Sequence, residues 1–234
     1  MIKGRTFVIG DIHGAFKALL QCLARSSFDY KKDTLIVIGD VVDGWPEVPQ
    51  CISKLLTVKN LIYVWGNHDW WVNKWFKTGW THPIWEEQGG NATKEAYVKQ
   101  GDLLVAHRDF FDRAVKYYII GKKLFVHGGL YPINKPIEKQ ELNDLMWDRD
   151  LFNAARFKHF KKPDYKYAGY DDIFIGHTTT EGVHDGEPVH VCNIWNIDQG
   201  AGWSGKLTIM DINTKEYWQS DNVIKLYTNI KGRF

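Results

Sequence analysis

Three short apolar runs in the first third of the chain restrict its possible folds. They are Thr6–Ile9, Leu35–Ile38 and Leu61–Val64, and a glycine follows each run directly or after one residue. The two segments between the runs have apolar residues at the three- and four-residue spacing of a helix face. This β-α-β-α-β pattern predicts a parallel sheet that is covered on both faces.

Carboxylates, imidazoles and one amide come directly after these glycines. In open parallel sheets, ligands bind beyond the carboxyl ends of the strands. We therefore expect one edge of the sheet to collect seven residues from distant parts of the sequence: Asp11, His13, Asp40, Asp43, Asn67, His68 and Asp69. Of these, Asp69 is expected to have a structural role.

The remainder of the chain predicts an aromatic insert followed by a β-rich half. Residues 70–112 are rich in Trp and contain three predicted helices, Trp70–Lys77, Ala92–Lys99 and Leu103–Arg113, which indicate a helical cap insert. Gly121-Lys122 predicts a hairpin between two strands. Later strands are predicted to end at His127, at His177 and at Asp198, and the strand before Asp198 is drawn as Val189–Ile197. The segment Phe152–Tyr170 is predicted to be a basic, aromatic connector.

Composition excludes several classes of protein. The 234 residues have 30 Lys plus Arg and 28 Asp plus Glu, so a net charge of +2 argues against a dedicated nucleic-acid binder. Membrane spans and a signal peptide are not expected, because no apolar run is long enough. The three cysteines are too few for a disulfide framework, which favours a reducing, cytoplasmic setting. Without linker composition or repeats, residues 1–234 are expected to form a single domain.

The polar residues at the predicted strand ends form a set of metal donors. The set contains only oxygen and nitrogen ligands, which suit Mn, Fe or Zn better than a structural zinc cage or a calcium site. One ion does not need so many ligands, whereas two ions that share a carboxylate would use them. The candidate donors are Asp11, His13, Asp40, Asn67, His127 and His177.

Five ordered sequence blocks resemble the calcineurin-like metallophosphoesterases, and within them the small bacterial and bacteriophage-type serine/threonine phosphatases of the phosphoprotein-phosphatase branch. The blocks are Gly10-Asp11-Ile12-His13-Gly14, Gly39-Asp40-Val41-Val42-Asp43, Gly66-Asn67-His68-Asp69, His127-Gly128-Gly129 and Gly176-His177-Thr178. The segments 89–93 and 196–201 are also similar to those of the smaller members. The resemblance covers residues 6 to about 212. It implies an α/β fold in which a β-sandwich is flanked by helices in an αββα order, with the Trp-rich insert added.

The resemblance also implies a role for each matching residue. Asp11 and His13 would hold the first metal ion, and Asp40 would bridge two. The second ion would be held by Asn67, His127 and His177. His68 would be the general acid, and Asp43 would orient it. The implied reaction is direct attack on phosphorus by a hydroxide that bridges two divalent ions, with Mn expected and Fe, Zn or Ni as alternatives.

Three positions concern phosphate recognition, and two of them depart from the pattern of the branch. Members of the branch usually have Arg at the position of Gly44, which Trp45 follows in this chain. They usually have a second Arg at the position of Trp65. A third Arg of the branch is matched here by Arg149. Arg binds phosphate in a bidentate manner that Trp cannot reproduce, but Trp can stack on a base. We therefore expect Arg149, Trp45 and Trp65 to contact substrate.

The leading prediction is a hydrolase of phosphate monoesters, including phospho-Ser and phospho-Thr in proteins. The first alternative is hydrolysis of nucleotides, either dinucleoside polyphosphates or cyclic phosphodiesters. A second alternative is a catalytically silent, metal-containing binding module, and a third is a single structural metal. The expected partner is thus a phosphate ester, from a phosphoprotein or a nucleotide.

Overall fold

A computed structural model describes residues 4–100, 103–230 and 232. Residues 1–3, 231 and 233–234 of the predicted single domain, and Gly101 and Asp102 of the predicted insert, lie outside the described residues. Two β-sheets pack face to face and helices cover their outer faces, as the resemblance implied. In that described part of the chain, no helix has the length and apolar character needed to cross a bilayer.

The strands and helices are numbered in chain order. The strands are β1 Thr6–Ile9, β2 Thr34–Val37, β3 Asn60–Tyr63, β4 Tyr118–Ile120, β5 Lys123–Phe125, β6 Asp172–Ile175, β7 Val189–Val191, β8 Ile194–Asn196, β9 Asp198–Gln199, β10 Lys206–Asp211 and β11 Tyr217–Gln219. The α-helices are α1 Phe16–Arg25, α2 Val48–Leu55, α3 Asn67–Thr78, α4 Pro83–Trp85, α5 Asn91–Val98, α6 Leu103–Asp112, α7 Leu142–Trp147, α8 Asp150–His159 and α9 Val223–Leu226. A π-helical turn at Glu86–Gly90 joins α4 to α5.

The register of the strands brings their carboxyl ends level with one another. The first sheet has the order β11-β10-β1-β2-β3, with β9 beside β10, and β1, β2 and β3 run parallel. Thr6 lies opposite Thr34, and Thr34 lies opposite Asn60. In the second sheet, of order β4-β5-β6-β8-β7, the central strands β5, β6 and β8 are parallel too. The loops that follow these strands can therefore meet at one edge of the sandwich.

Alternation along each strand divides the core into layers. Phe7 and Ile9 of β1 pack under the helices, whereas Val8 between them packs against the second sheet. Between the sheets, Phe125 of β5 stacks on Phe174 of β6 with ring centroids 4.9 Å apart. Because successive side chains point to opposite faces of a sheet, one continuous apolar run fills two layers of core.

The described part of the Trp-rich insert, residues 70–100 and 103–112, packs on α2 and shares the core of the first sheet. Trp85 and Tyr97 are buried in the same apolar cluster as the residues of β1 and β2. The insert's first helix, α3, begins at Asn67, which is one of the predicted metal donors. The helix that carries part of the candidate site is thus also the helix on which the insert is built.

Two predictions for the second half of the chain were wrong. The segment Phe152–Tyr170 is not a connector throughout, because its first part belongs to α8, whose Leu151, Phe152 and Ala155 are buried against the second sheet. The single strand Val189–Ile197 is instead the hairpin β7–β8, which turns at Cys192 with a positive φ of 55°. The basic composition of the first segment concealed a helix, and the continuous apolar composition of the second concealed a turn between two strands.

Candidate active site

The cleft at the carboxyl edge of the two sheets brings the predicted donors together. It has a volume of about 370 Å³. Two sets of three donor atoms lie within 4.8 Å of one another, the first from Asp11, His13 and Asp40 and the second from Asp40, His127 and His177. Asp40 belongs to both sets, as a carboxylate shared by two ions would.

Each donor follows a strand or begins a helix, and several have a strained backbone. His13, Asp40 and His177 have positive φ values of 49°, 49° and 62°, which non-glycine residues rarely adopt. Backbone hydrogen bonds hold these loops, since the Asp40 carbonyl accepts from the N–H groups of Ile12 and His13, at 2.9 Å each. Such conformations persist where the surrounding structure determines them, and they cluster at functional sites.

Backbone carbonyls orient two of the imidazoles. The Nδ1 atom of His13 lies 3.0 Å from the Val42 carbonyl, and that of His127 lies 2.7 Å from the Ile38 carbonyl. A carbonyl only accepts, so each Nδ1 carries a proton, and Nε2 is the nitrogen directed toward the other donors. Both Nε2 atoms face the Asp40 carboxylate, at 3.6 Å and 3.4 Å. This arrangement is typical of metal-binding histidines.

The chemistry of the remaining donors also fits divalent ions. Asn67 places its Oδ1 atom 3.0 Å from His127 Nε2. The Nε2 atom of His177 is buried and has no hydrogen-bond partner among the described residues. A buried polar atom without a partner is costly and calls for an explanation, and an ion is a common one. The donor set therefore fits one or two divalent cations.

Buried charges shift the pKa values of these groups strongly. Burial and the neighbouring Asp198 raise the pKa of Asp11. Burial also disfavours the Asp40 carboxylate, but the imidazoles of His127 and His68 outweigh it and hold the pKa of Asp40 well below its usual range. Burial opposes the His127 cation too, yet Asp40 and Asp11 raise its pKa to about 10. Without a metal ion, a proton on His127 thus offsets the negative charge of Asp40 and Asp11. A bound divalent ion would offset that charge instead and displace the proton.

His68 and Asp43 form a buried pair beside the donors. The Nδ1 atom of His68 lies 2.8 Å from Asp43 Oδ2, and the two residues are 2% and 0% exposed. His68 lines the cleft, and its ring meets that of His13 edge-on at 5.0 Å. The pair has the geometry of an imidazole held by a carboxylate at the edge of the donor cluster.

Arg149 is the predicted phosphate contact that the structure places at the cleft. Its guanidinium donates to the His177 carbonyl at 3.3 Å and lines the cleft. The cleft wall also includes residues that sequence reasoning did not predict as contacts: Gln88, Trp147, Thr179, Asp198, Gly202 and Trp203. Trp147 stands two residues before Arg149, so the Trp-Asp-Arg pattern contained a signal for it.

The structure places Trp45 and Trp65, which were expected to contact substrate, in the core and not at the cleft. Trp45 is 1% exposed, donates from its indole to the Ala201 carbonyl at 2.7 Å and stacks on Tyr227. Trp65 packs against Trp70 and Phe111 in the core beneath the insert. Neither belongs to the cleft wall of the described structure. Each indole fills core space, so neither of these two Trp residues offers a stacking face to the cleft.

Asp69 has the structural role expected of it. Its carboxylate accepts from the N–H of Val41 at 2.9 Å and from that of Gly66 at 3.2 Å, which joins the loop after β2 to the start of α3. Burial and the nearby Asp40 raise the pKa of Asp69 to about 7.

Comparison with known proteins shows what this chain is similar to. A family model described as calcineurin-like phosphoesterase matches residues 4–203. Serine/threonine-protein phosphatase 1 of Salmonella typhimurium is 24% identical, covering 88% of this chain and 91% of its own length. The symmetrical bis(5'-nucleosyl)-tetraphosphatase of Pseudomonas fluorescens is 38% identical, covering 90% and 92%. Among solved structures, a putative diadenosine tetraphosphatase superposes with a TM-score of 0.68 at 18% identity, covering 93% of both chains.

Proposed function

Because the chain belongs to the calcineurin-like phosphoesterase family and is a hydrolase of phosphate esters, we propose that it acts on phosphate monoesters, phospho-Ser and phospho-Thr included. One observation carries the proposal. Two donor sets that share Asp40 meet in a cleft beside the buried His68–Asp43 pair.

The donors of the cleft would hold two divalent ions, as in the rest of the family. Asp11 and His13 would hold the first ion, Asp40 both, and Asn67, His127 and His177 the second. Bound ions would supply positive charge to the phosphoryl oxygens and lower the pKa of a water molecule. Nitrogen and oxygen donors accept several first-row metals, so Mn²⁺ is proposed first, with Fe, Zn or Ni as alternatives.

His68 is proposed as the group that protonates the leaving oxygen. Asp43 accepts from Nδ1 and so holds the ring in one orientation at the cleft wall. This arrangement favours esters of alcohols as substrates. An alcohol leaves as a strongly basic alkoxide unless it receives a proton, whereas the leaving group of a phosphoric anhydride is a far weaker base. A buried proton donor is therefore of most use for a monoester of Ser or Thr.

Arg149 is proposed to bind the phosphoryl oxygens at the cleft wall, next to His177. A guanidinium presents parallel N–H groups to two oxygens and retains its charge at any working pH. A monoester dianion profits more from that charge than a diester monoanion does.

Hydrolysis of dinucleoside polyphosphates or cyclic phosphodiesters is the second candidate. A groove of about 290 Å³ adjoins the cleft and shares Trp147 and Arg149 with it. Tyr131 in this groove is 50% exposed and Trp147 is 37% exposed, so both can offer a ring face to a base. The tetraphosphatase of Pseudomonas fluorescens, at 38% identity, supports this candidate as well.

Parallel assays with three substrates test these proposals. Wild-type protein with added Mn²⁺ is expected to hydrolyse p-nitrophenyl phosphate faster than bis-p-nitrophenyl phosphate or diadenosine tetraphosphate. His68→Ala is expected to lower turnover of a phosphoserine peptide by about 10²–10⁴-fold. The control His190→Ala, which changes an exposed residue of β7, should match wild type. Faster turnover of the diester or the tetraphosphate would favour the second candidate, and no metal-dependent turnover of any substrate would favour a binding module.

A further inference from the structure

The Asp43 carboxylate receives hydrogen bonds from two residues of the Trp-rich insert as well as from His68. Its Oδ2 atom accepts from the indole N–H of Trp85 at 2.8 Å, the same distance as from His68 Nδ1. Its Oδ1 atom accepts from the hydroxyl of Thr93 at 2.7 Å. Asp43, Trp85 and Thr93 are each 0% exposed. Both oxygens of the carboxylate are thus occupied by donors in a site closed to water.

These contacts determine the direction in which the carboxylate points. An indole N–H can only donate a hydrogen bond, so Trp85 can contact the carboxylate only by donating to it. It cannot accept the Nδ1 proton of His68, which is left to Asp43. Thr93 makes two contacts, since its hydroxyl also accepts from the backbone N–H of Asp43 at 3.1 Å. The hydroxyl therefore bridges the backbone and side chain of one residue and limits rotation of that side chain. Asp43 has a positive φ of 65°, a strained conformation that such surrounding contacts can maintain.

Two glycines allow the insert to approach Asp43 this closely. Gly89 has a φ of 107°, its carbonyl accepts from the N–H of Gly44 at 3.4 Å, and a Cβ atom on it would lie 2.4 Å from that nitrogen. A Cβ atom on Gly90 would lie 2.5 Å from the indole of Trp85. The π-helical turn thus places Trp85 on one side of the carboxylate and Thr93 on the other.

We propose that Trp85 and Thr93 are positioning residues for His68, and this rests on the proposed function. They hold the Asp43 carboxylate so that it accepts from Nδ1, which leaves Nε2 as the ring nitrogen that delivers a proton. In the reaction, a hydroxide derived from water forms a bond to phosphorus while the bond between phosphorus and the leaving oxygen breaks. The leaving oxygen keeps the electron pair of that bond and takes the proton of His68, so the products are a neutral alcohol and inorganic phosphate. The insert therefore contributes to the alignment of the proton donor without touching the substrate.

Leaving-group dependence separates this role from simple packing. Trp85→Phe removes the indole N–H and Thr93→Val removes the hydroxyl with little change of shape. Both are expected to lower kcat for phenyl phosphate about tenfold more than kcat for p-nitrophenyl phosphate, whose better leaving group needs less protonation. KM should change little. Trp80→Phe is the matched control. Trp80 stacks on Trp85 in the same insert, and in the described part of the chain it is the indole of Trp85, not that of Trp80, that donates to Asp43.

Thr93→Ser keeps a hydroxyl at this position, so its ratio of the two kcat values should return toward that of wild type. If Thr93→Val and Thr93→Ser lower both kcat values equally, or Trp80→Phe changes the ratio as much as Trp85→Phe does, the positioning role is wrong. Urea unfolding of each variant identifies one that fails to fold, and the other variants then decide.

A proton NMR measurement tests the same contacts without any turnover. The Nδ1 proton of His68, hydrogen-bonded to a carboxylate, should give a downfield signal that His68→Ala removes. We expect Trp85→Phe and Thr93→Val to shift or broaden this signal in protein with and without Zn²⁺, and Trp80→Phe to leave it unchanged. If wild type hydrolyses neither ester, the proposed function fails, yet the signal still decides whether the insert positions His68. An unchanged signal in both variants would overturn the inference.

Discussion

At the scale of residues, Asp40 and Asp69 show how two buried carboxylates can differ in purpose. Both lie close to Gly66, where a Cβ atom would come within 2.2 Å of Asp40 Oδ1 and 2.9 Å of Asp69 Oδ2. Asp40 accepts from the N–H of His68 at 2.9 Å and turns its other oxygen toward two imidazoles. Both oxygens of Asp69 accept hydrogen bonds from backbone N–H groups. Asp40 therefore has an oxygen directed toward the other metal donors, whereas Asp69 does not.

Exchanging each of these carboxylates for an amide should separate metal binding from stability. Asp40→Asn is expected to lose bound metal and to lower the rate of hydrolysis by at least about 100-fold. Mutation of residues that only hydrogen-bond to a metal ligand already lowers metal affinity or activity by about 10–100-fold. Asp69→Asn should keep its metal and lose about 1 kcal/mol of unfolding free energy, the usual loss of a helix cap. Metal analysis and urea unfolding measure the two effects. Equal loss of metal in both variants would contradict the assignment.

At the scale of elements, the insert is fastened to the rest of the molecule by polar contacts as well as by packing. The imidazole of His107 in α6 lies 3.0 Å from the Ser53 hydroxyl of α2 and 2.8 Å from the Tyr97 hydroxyl of α5. The turn between α4 and α5 contacts the loop after β2 through Gly89 and Gly44. These contacts fasten the insert to the elements next to Asp43.

Two glycines of the insert allow a matched test of that turn. Gly79 and Gly89 both have positive φ values, 70° and 107°, but a Cβ atom would meet nothing within 4 Å at Gly79 and a backbone nitrogen at 2.4 Å at Gly89. Gly79→Ala should lose about 1 kcal/mol of stability from backbone strain alone. Gly89→Ala should lose about 3 kcal/mol, because the clash adds to the strain, and should also lower kcat. Equal losses would mean that the close approach to Gly44 is unimportant.

The lowered pKa of His107 leads us to expect that the protein loses stability in mild acid. Burial lowers its pKa to about 4, below the usual value of 6.5, so the folded protein binds this proton less readily than the unfolded chain. Unfolding is therefore favoured as the pH falls from 6.5 to 4, by up to about 3 kcal/mol at pH 4, and is unaffected above pH 6.5. The difference in unfolding free energy between wild type and His107→Gln should change across this range. A constant difference would show that His107 does not titrate in this way.

At the scale of the whole molecule, the candidate metal centre joins the two sheets. Loops of the first sheet supply Asp11, His13 and Asp40, together with Asn67 at the start of α3, and loops of the second supply His127 and His177. A ligand that binds the folded state alone stabilises it by mass action. Ions held between the sheets would therefore resist their separation.

Removal of divalent ions should lower the thermal stability of the protein. At a metal concentration 100 times the Kd, binding contributes about 2.7 kcal/mol, which corresponds to roughly 5–10 °C in Tm for a chain of this size. Calorimetry before and after chelation, and after Mn²⁺ is restored, measures the shift. Asp40→Asn should lose most of it and His190→Ala should retain it. A Tm that chelation leaves unchanged in wild type would argue against a resident metal centre.

The local parts of this molecule were predictable from the sequence. The bounds of β1 agree with prediction, and those of β2 and β3 differ by one residue, because a buried strand needs a continuous apolar run and ends where glycine and polar residues follow. The donor types were visible for the same reason, since each stands at the end of such a run. The pairing of two sheets in a sandwich came from the family resemblance, because periodicity does not reveal which sheet covers which.

Contacts between distant residues were decided by the tertiary structure alone. Trp45 and Trp65 occupy positions where a substrate contact was expected, yet packing buries both in the core. Trp85 and Thr93 reach Asp43 across 42 and 50 residues of sequence. Residue type and spacing determine whether a segment is a strand, a helix or a donor-bearing loop, because those are local preferences. Which side chains share a carboxylate depends on how the whole chain packs, and no local pattern contains that information.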